Sequence, residues 1–346
     1  MKGVNIRPLP FTVNHRPTTA VCRRLLSFVF GVFLGAQVTA APESGTPWSM
    51  ATRVENDLPA NSDRYYTNGV SFSFTRCASE RDVLWPQVLR LPGLQRAGTL
   101  AAGFDFGQVM VTPADTTLTR PDPNDRPYAG LLYIGVSWQR FTADHYAALK
   151  LISGLVGPPS LAEQTQKTVH RTFGVAQPRG WDFQLHTEPI LNVVYERRQR
   201  HLAWGDSTDW SGDALFVQGA MVGNVLTQAY AQVQVRGGWR TPQDFGTSLI
   251  RGIGALPPAR DSASWGAHAF AGAGALAVAR NFSLEGNTFR SSPSVERRPF
   301  VPAGEAGVVV RGHRWQLTAS WIVWGREFET QIRHSEFASV ALAIFR

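Results

Sequence analysis

Cysteine is almost missing from this chain: two in 346 residues, Cys22 and Cys77. If Cys22 belongs to an N-terminal leader, one thiol remains and no internal disulfide can form. Also missing are the local signatures of familiar soluble enzymes. There is no H-E-x-x-H, no G-x-S-x-G elbow, no Walker loop and no C-x-x-C. The glycine-rich run at 270–274 is followed by no helix start, so it cannot cradle a phosphate and reads as sheet. Beyond residue 40, no stretch approaches the roughly 20 apolar residues of a membrane-spanning helix. These absences exclude a disulfide framework and a helical membrane protein.

What is present begins with a leader. Arg16, Arg23 and Arg24 supply a positive region, residues 25–38 (LLSFVFGVFLGAQV) an apolar one, and Val38-Thr39-Ala40 small residues at a cleavage position. That order predicts a secretory signal peptide over 1–40, cut after Ala40, leaving 41–346 as the mature chain. An uncleaved anchor is the alternative, and the apolar run is short for one. The formal net charge of +8 includes the leader arginines. A basic exported protein meets anionic lipid or lipopolysaccharide; nucleic acid is not expected as a partner.

Hydrophobic period two then runs from end to end. Val70, Phe72 and Phe74 alternate with serines; Leu132, Ile134, Val136 and Trp138 with Tyr133, Gly135 and Ser137; Val233 and Val235 with Gln232, Gln234 and Arg236. Twelve strands are expected, near 47–56, 65–76, 99–112, 126–141, 145–156, 182–200, 211–224, 226–240, 263–281, 299–312, 313–328 and 333–346. Many exceed the usual ~5–6 residues of globular strands and match the ~9–11 that cross a bilayer. Eleven tryptophans, among them Trp181, Trp204, Trp210, Trp239, Trp265 and Trp324, suit interfacial girdles. The fold class expected is all-β: a transmembrane antiparallel β-barrel of about twelve strands. Ala267, Ala269, Ala271, Ala273 and Ala275 are expected to line a filled lumen, and Arg197-Arg198 and Arg297-Arg298 to form a solvated rim. A soluble β-sandwich also alternates, but with shorter strands and no export signal.

One segment breaks the period. Pro158-Pro159-Ser160-Leu161-Ala162-Glu163 reads as a helix start, with Ser160 as N-cap and Glu163 as its capping-box partner. The helix is expected to run to Phe173 and stop at Gly174. Glu163, Gln166, Lys167 and His170 then share a face. A polar-faced helix in a loop between barrel strands points to a task, and histidine is the usual general base near neutral pH. The connections 77–98, 241–262 and 281–298 are long, which places them on the outer face of a barrel.

A second concentration of chemistry lies at 54–70, VENDLPANSDRYYTNGV. Its oxygen-bearing side chains, Glu55, Asn56, Asp57, Asn61, Asp63 and Asn68, crowd the junction of two strands. A hard cation such as Ca²⁺ takes such donors; the same composition also makes an ordinary polar hairpin.

Four blocks, VENDLPANSDRYYTNGVSFS, NDRPYAGLLYIGVSW, GLVGPPSLAEQTQKTVHRTFG and GWDFQLHTEPILNVVYERR, resemble in this order the lipid A deacylase family of Gram-negative outer membranes. They cover about half of the mature chain. The resemblance implies a twelve-stranded outer-membrane barrel and a calcium-dependent esterase acting on the 3′-linked acyloxyacyl group of lipid A. It implies metal binding at Asn56 and Asp57 and a catalytic role for His170. Gln166 is added as a catalytic candidate on its spacing alone. The family's acid assisting the histidine has no counterpart between Arg171 and Gly180; either Glu163, Asp182 or Glu188 replaces it, or nothing does. The implied partner is lipid A or lipopolysaccharide in the cell outer membrane, with the chain a monomer. Three alternatives stand beside this: an outer-membrane phospholipase with a serine nucleophile, a non-catalytic pore or binder, and a soluble lectin-like sheet.

Overall fold

The computed structural model describes residues 47–57, 65–83, 85–247 and 265–346. The expected signal peptide lies outside them. Twelve strands form one closed barrel in which each pairs antiparallel with its neighbours in sequence. They are β1 (Trp48–Asn56), β2 (Tyr65–Ala78), β3 (Thr99–Thr112), β4 (Ala129–Phe141), β5 (His145–Val156), β6 (Glu188–Gly205), β7 (Trp210–Gly223), β8 (Leu226–Trp239), β9 (Gly266–Asn281), β10 (Phe300–Arg311), β11 (Trp315–Trp324) and β12 (Ser335–Phe345). The seam closes through β1 and β12, from Ser49 opposite Phe345 to Asn56 opposite Ala338. No edge strand is left for an open sandwich to need.

The pleat divides the residues between two faces. Outside are Phe72, Phe104, Phe106, Ile134, Val136, Leu191, Val222, Val233, Val235 and Val308, all exposed. Such a belt belongs in hydrocarbon. Inside are Asp105, Lys150, Glu196, Arg198, Asp213, Gln232, Gln234, Arg236 and Glu305, all buried. Ion pairs such as Lys150–Asp105 at 3.1 Å and Arg236–Asp213 at 2.6 Å satisfy these charges away from water.

Several expectations are corrected here. The alanines of β9 face outward, and His268, Phe270, Leu276 and Val278 fill the lumen. A methyl group suffices against lipid, whereas a lumen must be filled by larger side chains. Arg198 is not on the rim: it is buried and donates to Glu196 and to the carbonyls of Phe245, Gly246 and Thr247. Trp204, Trp210, Trp239 and Trp265 do form an exposed girdle, all at the end carrying the two termini. Trp181 and Trp324 do not join it. Trp324 packs on Tyr66 and Phe337, and Trp181 is buried beside the inserted helix.

Alternation of strand direction also decides where connections lie. Those after β1, β3, β5, β7, β9 and β11 leave from one end, the site end; the termini share the other with the 79–98 connection and the 240–247 segment that follows β8. The 77–98 connection expected on the outer face is therefore opposite the inserted helix, as is the start of the 241–262 connection, whose residues 248–262 lie outside the described residues. At the terminal end the 240–247 segment plugs the lumen, with Arg200 donating to the Asp244 carbonyl and Arg236 to the Asp244 carboxylate. The 79–98 segment folds back onto the wall, where Val83, Val88 and Leu94 pack with Trp138 and Leu149.

Candidate active site

The inserted helix, α1 (Ala162–Phe173), follows a 3-10 turn over Pro158–Ser160. It starts one step later than expected. Leu161, in the left-handed region at φ 59°, is the N-cap residue, and Ser160 instead accepts from the Ala162 N–H at 3.4 Å. Glu163 makes no capping box; its carboxylate takes Lys167 at 2.5 Å. The stop is as expected. Gly174 adopts φ 70° and closes the helix by donating to Arg171 and His170, followed by Val175 donating to His170.

One stripe of α1 is buried: Ala162, Gln166, His170 and Phe173. It lies against the outer wall. On β3 and β4 the odd positions turn inward, as Asp105 and Ser137 do, and the even ones outward, as Phe106 and Ile134 do. Met110 and Gly130 are outward, and Met110 packs with Tyr128, Ala162 and Trp181. A Cβ on Gly130 would fall 2.2 Å from Ser160 Oγ and 2.3 Å from Ala162 Cβ. Glycine there is what lets the start of the helix seat on the sheet. Gln108 fixes the same junction by donating to the Ser160 carbonyl at 2.6 Å.

His170 is held by its own chain. Nδ1 lies 2.5 Å from the Ala176 carbonyl oxygen. A carbonyl only accepts, so Nδ1 carries the hydrogen, and neutral His170 keeps its lone pair on Nε2. One turn earlier, Gln166 Oε1 accepts from the indole N–H of Trp181 at 2.7 Å. A backbone carbonyl thus helps to orient the histidine. Of the acids considered for that role, Glu163 is paired with Lys167, Asp182 is exposed, and Glu188 accepts from Asn287, Thr288 and Phe289.

Asn56 and Asp57 end β1 on the same wall, at the same end. With Arg53 and Glu55 turned inward, Asn56 is turned outward, as Met110 and Gly130 are. Asn56 Nδ2 donates to the Thr67 carbonyl at 3.1 Å, and the Thr67 and Thr112 hydroxyls meet at 2.7 Å. This chain of contacts runs from β1 across β2 to β3, beside Met110 and hence α1. The structure brings Gln166 and His170 together on one buried stripe over β3 and β4, and sets Asn56 and Asp57 at the site end of β1, with β2 between them and that wall.

Asp57 is fully buried. A carboxylate withdrawn from water needs donors or a cation in compensation. Asp57, the Asn56 carboxamide, the threonine hydroxyls and nearby carbonyls are all hard oxygen donors, the chemistry Ca²⁺ takes. Among the described residues, no three His, Cys, Asp or Glu side chains gather as a metal cluster. A hard cation would therefore draw on amide, hydroxyl and backbone oxygens as well as Asp57.

Sequence reasoning did not assign Trp181, Ala176, Thr67, Thr112 or Gly130 to this corner. Only the tryptophan carried a signal, a lone indole next to Asp182 shortly after the helix.

A closed, even-stranded barrel with an apolar outer belt and a helix-covered polar corner on that belt is an outer-membrane β-barrel built to work at the lipid face. Residues 26–345 match the family described as outer membrane protein LpxR, and the chain belongs to that family. Among solved structures, LpxR from Salmonella typhimurium is similar, with a TM-score of 0.71 at 17% identity, covering 86% of this chain and 99% of that one. The β domain of the Bordetella autotransporter Brka matches more loosely, with a TM-score of 0.43 at 13% identity, covering 87% of this chain and 99% of that one. No curated protein matches the chain in sequence.

Proposed function

We propose that this outer-membrane barrel is an esterase that removes the 3′-linked acyloxyacyl group from lipid A, with Ca²⁺ as its cofactor. The observation that carries the reading is the buried, carbonyl-held His170 on a helix seated against the outer wall at the site end. An ester between headgroup and acyl chains lies at that depth, and a lumenal site would not reach it.

The residues divide the work. His170 Nε2 takes the proton from the attacking water as its oxygen bonds to the acyl carbon. When the adduct collapses, the bond between the acyl carbon and the sugar oxygen breaks, and His170 gives the proton to that oxygen as the alcohol leaves and the acid is freed. Gln166, held by Trp181, fixes the helix face beside the histidine. Asn56 and Asp57 would hold the ion, which when bound polarises the ester carbonyl and stabilises negative charge on its oxygen.

The test uses the purified full-length barrel and lipid A, with fatty-acyl release followed by mass spectrometry. His170→Ala is expected to lower the rate by about 10²- to 10⁴-fold, the usual share of a general base. Asp57→Ala and chelation of Ca²⁺ are each expected to abolish release, with Ca²⁺ restoring only the wild type. Near-wild-type release by either variant sinks this mechanism, and a glycerophospholipid product would replace it with a phospholipase.

A further inference from the structure

The wall that carries α1 outside carries a second concavity inside. At the site end of the lumen is a cavity of about 200 Å³. Val109, Ile152, Ile190, Met221, Leu276 and Val301 contribute to an apolar lining drawn from six strands. The short helix α2 (Phe282–Glu285) borders it through Phe282, Ser283 and Leu284. It lies on the other side of the wall from the corner described above: Glu55, Val109, Val111 and Leu131 point into it whereas Asn56, Met110 and Gly130 point away, and Gln108 borders both.

Charged side chains edge it. Arg53, Arg126 and Arg298 line it with Glu55 and Glu327, and Arg298 is paired with Glu329 at 2.9 Å. Arg126 is the informative one. It is 1% exposed, and Tyr65 and Phe328 each place a ring 5.8 Å from its guanidinium carbon. Its Nη2 lies 3.1 Å from Glu327 Oε1, yet neither Nε nor Nη2 makes a hydrogen bond. Glu327 also accepts from Ser335 at 2.9 Å. A buried guanidinium with donors in hand and an apolar chamber beside it asks for an anion with a hydrocarbon tail. Apolar cavities of about 150 Å³ stay dry and take up benzene, so this one suits a medium-length chain and excludes a whole phospholipid.

We infer that the lumenal cavity binds a fatty carboxylate, with the chain among the six apolar residues and the carboxylate on Arg126. Nothing in this requires the hydrolytic reading. The acid has two possible sources, product released at the outer wall or free fatty acid of the membrane, and the chemistry of recognition is the same.

Calorimetric titration of the purified full-length barrel in a non-ionic detergent, with decanoate and with decanol, tests it. Saturable one-to-one decanoate binding is expected, at least tenfold tighter than decanol. Val301→Phe, which fills the chamber, is expected to weaken decanoate at least tenfold while leaving lipid A deacylation unchanged. Arg126→Gln should remove the preference for the acid over the alcohol. If that variant fails to fold by circular dichroism, Val301→Phe still decides. Equal binding of decanoate and decanol by the wild type, or undiminished decanoate binding by a folded Val301→Phe, overturns the proposal. Mass spectrometry of acids carried through purification separates the sources. Acids on the wild type but not on His170→Ala assign the product, and the same acids on both assign the membrane pool.

Discussion

At the residue scale the site turns on how two side chains are held. His170 gains its orientation from the Ala176 carbonyl and Gln166 from the Trp181 indole. The histidine and glutamine were legible in the sequence because both fall on one stripe of a short helix. The carbonyl was not, since every residue carries one and only the chain's path after Gly174 brings that of Ala176 back. Residues 171–180 hold no acid, and the Ala176 carbonyl accepts from the ring there. Trp181→Phe tests the holding. It deletes one buried hydrogen bond, about 1 kcal/mol, and should lower kcat roughly five- to tenfold with KM little changed. A matching rise in KM would show that the indole serves binding instead.

At the element scale, the seating of α1 on the sheet is decided by a missing side chain. Gly130 lies under Ser160 and Ala162, and even one methyl there collides with both. Gly130→Ala should therefore lift the start of the helix and lower deacylase activity at least tenfold while the barrel remains folded. Limited proteolysis within 157–187, faster in the variant, would confirm that α1 has moved. Unchanged activity and cleavage would mean that the junction gives way without disturbing the site. The helix ends show the limits of local rules. Gly174 stops the helix as its type predicts, because a left-handed C-terminal residue is a backbone requirement. Ser160 and Glu163 looked like a capping box but have other partners. Lys167 is four residues from Glu163 on the same exposed side, and Leu161 takes the capping position in a left-handed conformation.

At the scale of the whole molecule, the plugged terminal end gives the barrel a pH dependence of its own. Burial alone would raise the Asp244 carboxyl, but Arg236, with further help from His268 and the Gly246 N–H, holds it below the ordinary carboxylate value. A depressed folded pKa contributes stability above the unfolded value of about 3.9, and that contribution is lost as pH falls through the folded value. The plug should hold at neutral pH and loosen only in strong acid, with planar-bilayer conductance rising there. Asp244→Asn should conduct already at neutral pH. A wild-type barrel with a large steady current at pH 7 would contradict a closed lumen.

What the sequence determined by itself is the strand inventory, the barrel class and the inserted helix, because each is written in local spacing. Period two marks strands and their ends, and helical spacing marks one stripe. What only the tertiary structure decided is which side of each strand faces in, and so what lies behind what. Alternation is symmetric between the two faces, so the β9 alanines, Arg198 and the long connections could not be placed from sequence alone. Closing the ring breaks that symmetry. It turns Asn56, Met110 and Gly130 toward lipid and Glu55, Val109 and Leu131 toward the lumen, with the helix-covered corner on one side and the arginine-edged chamber on the other.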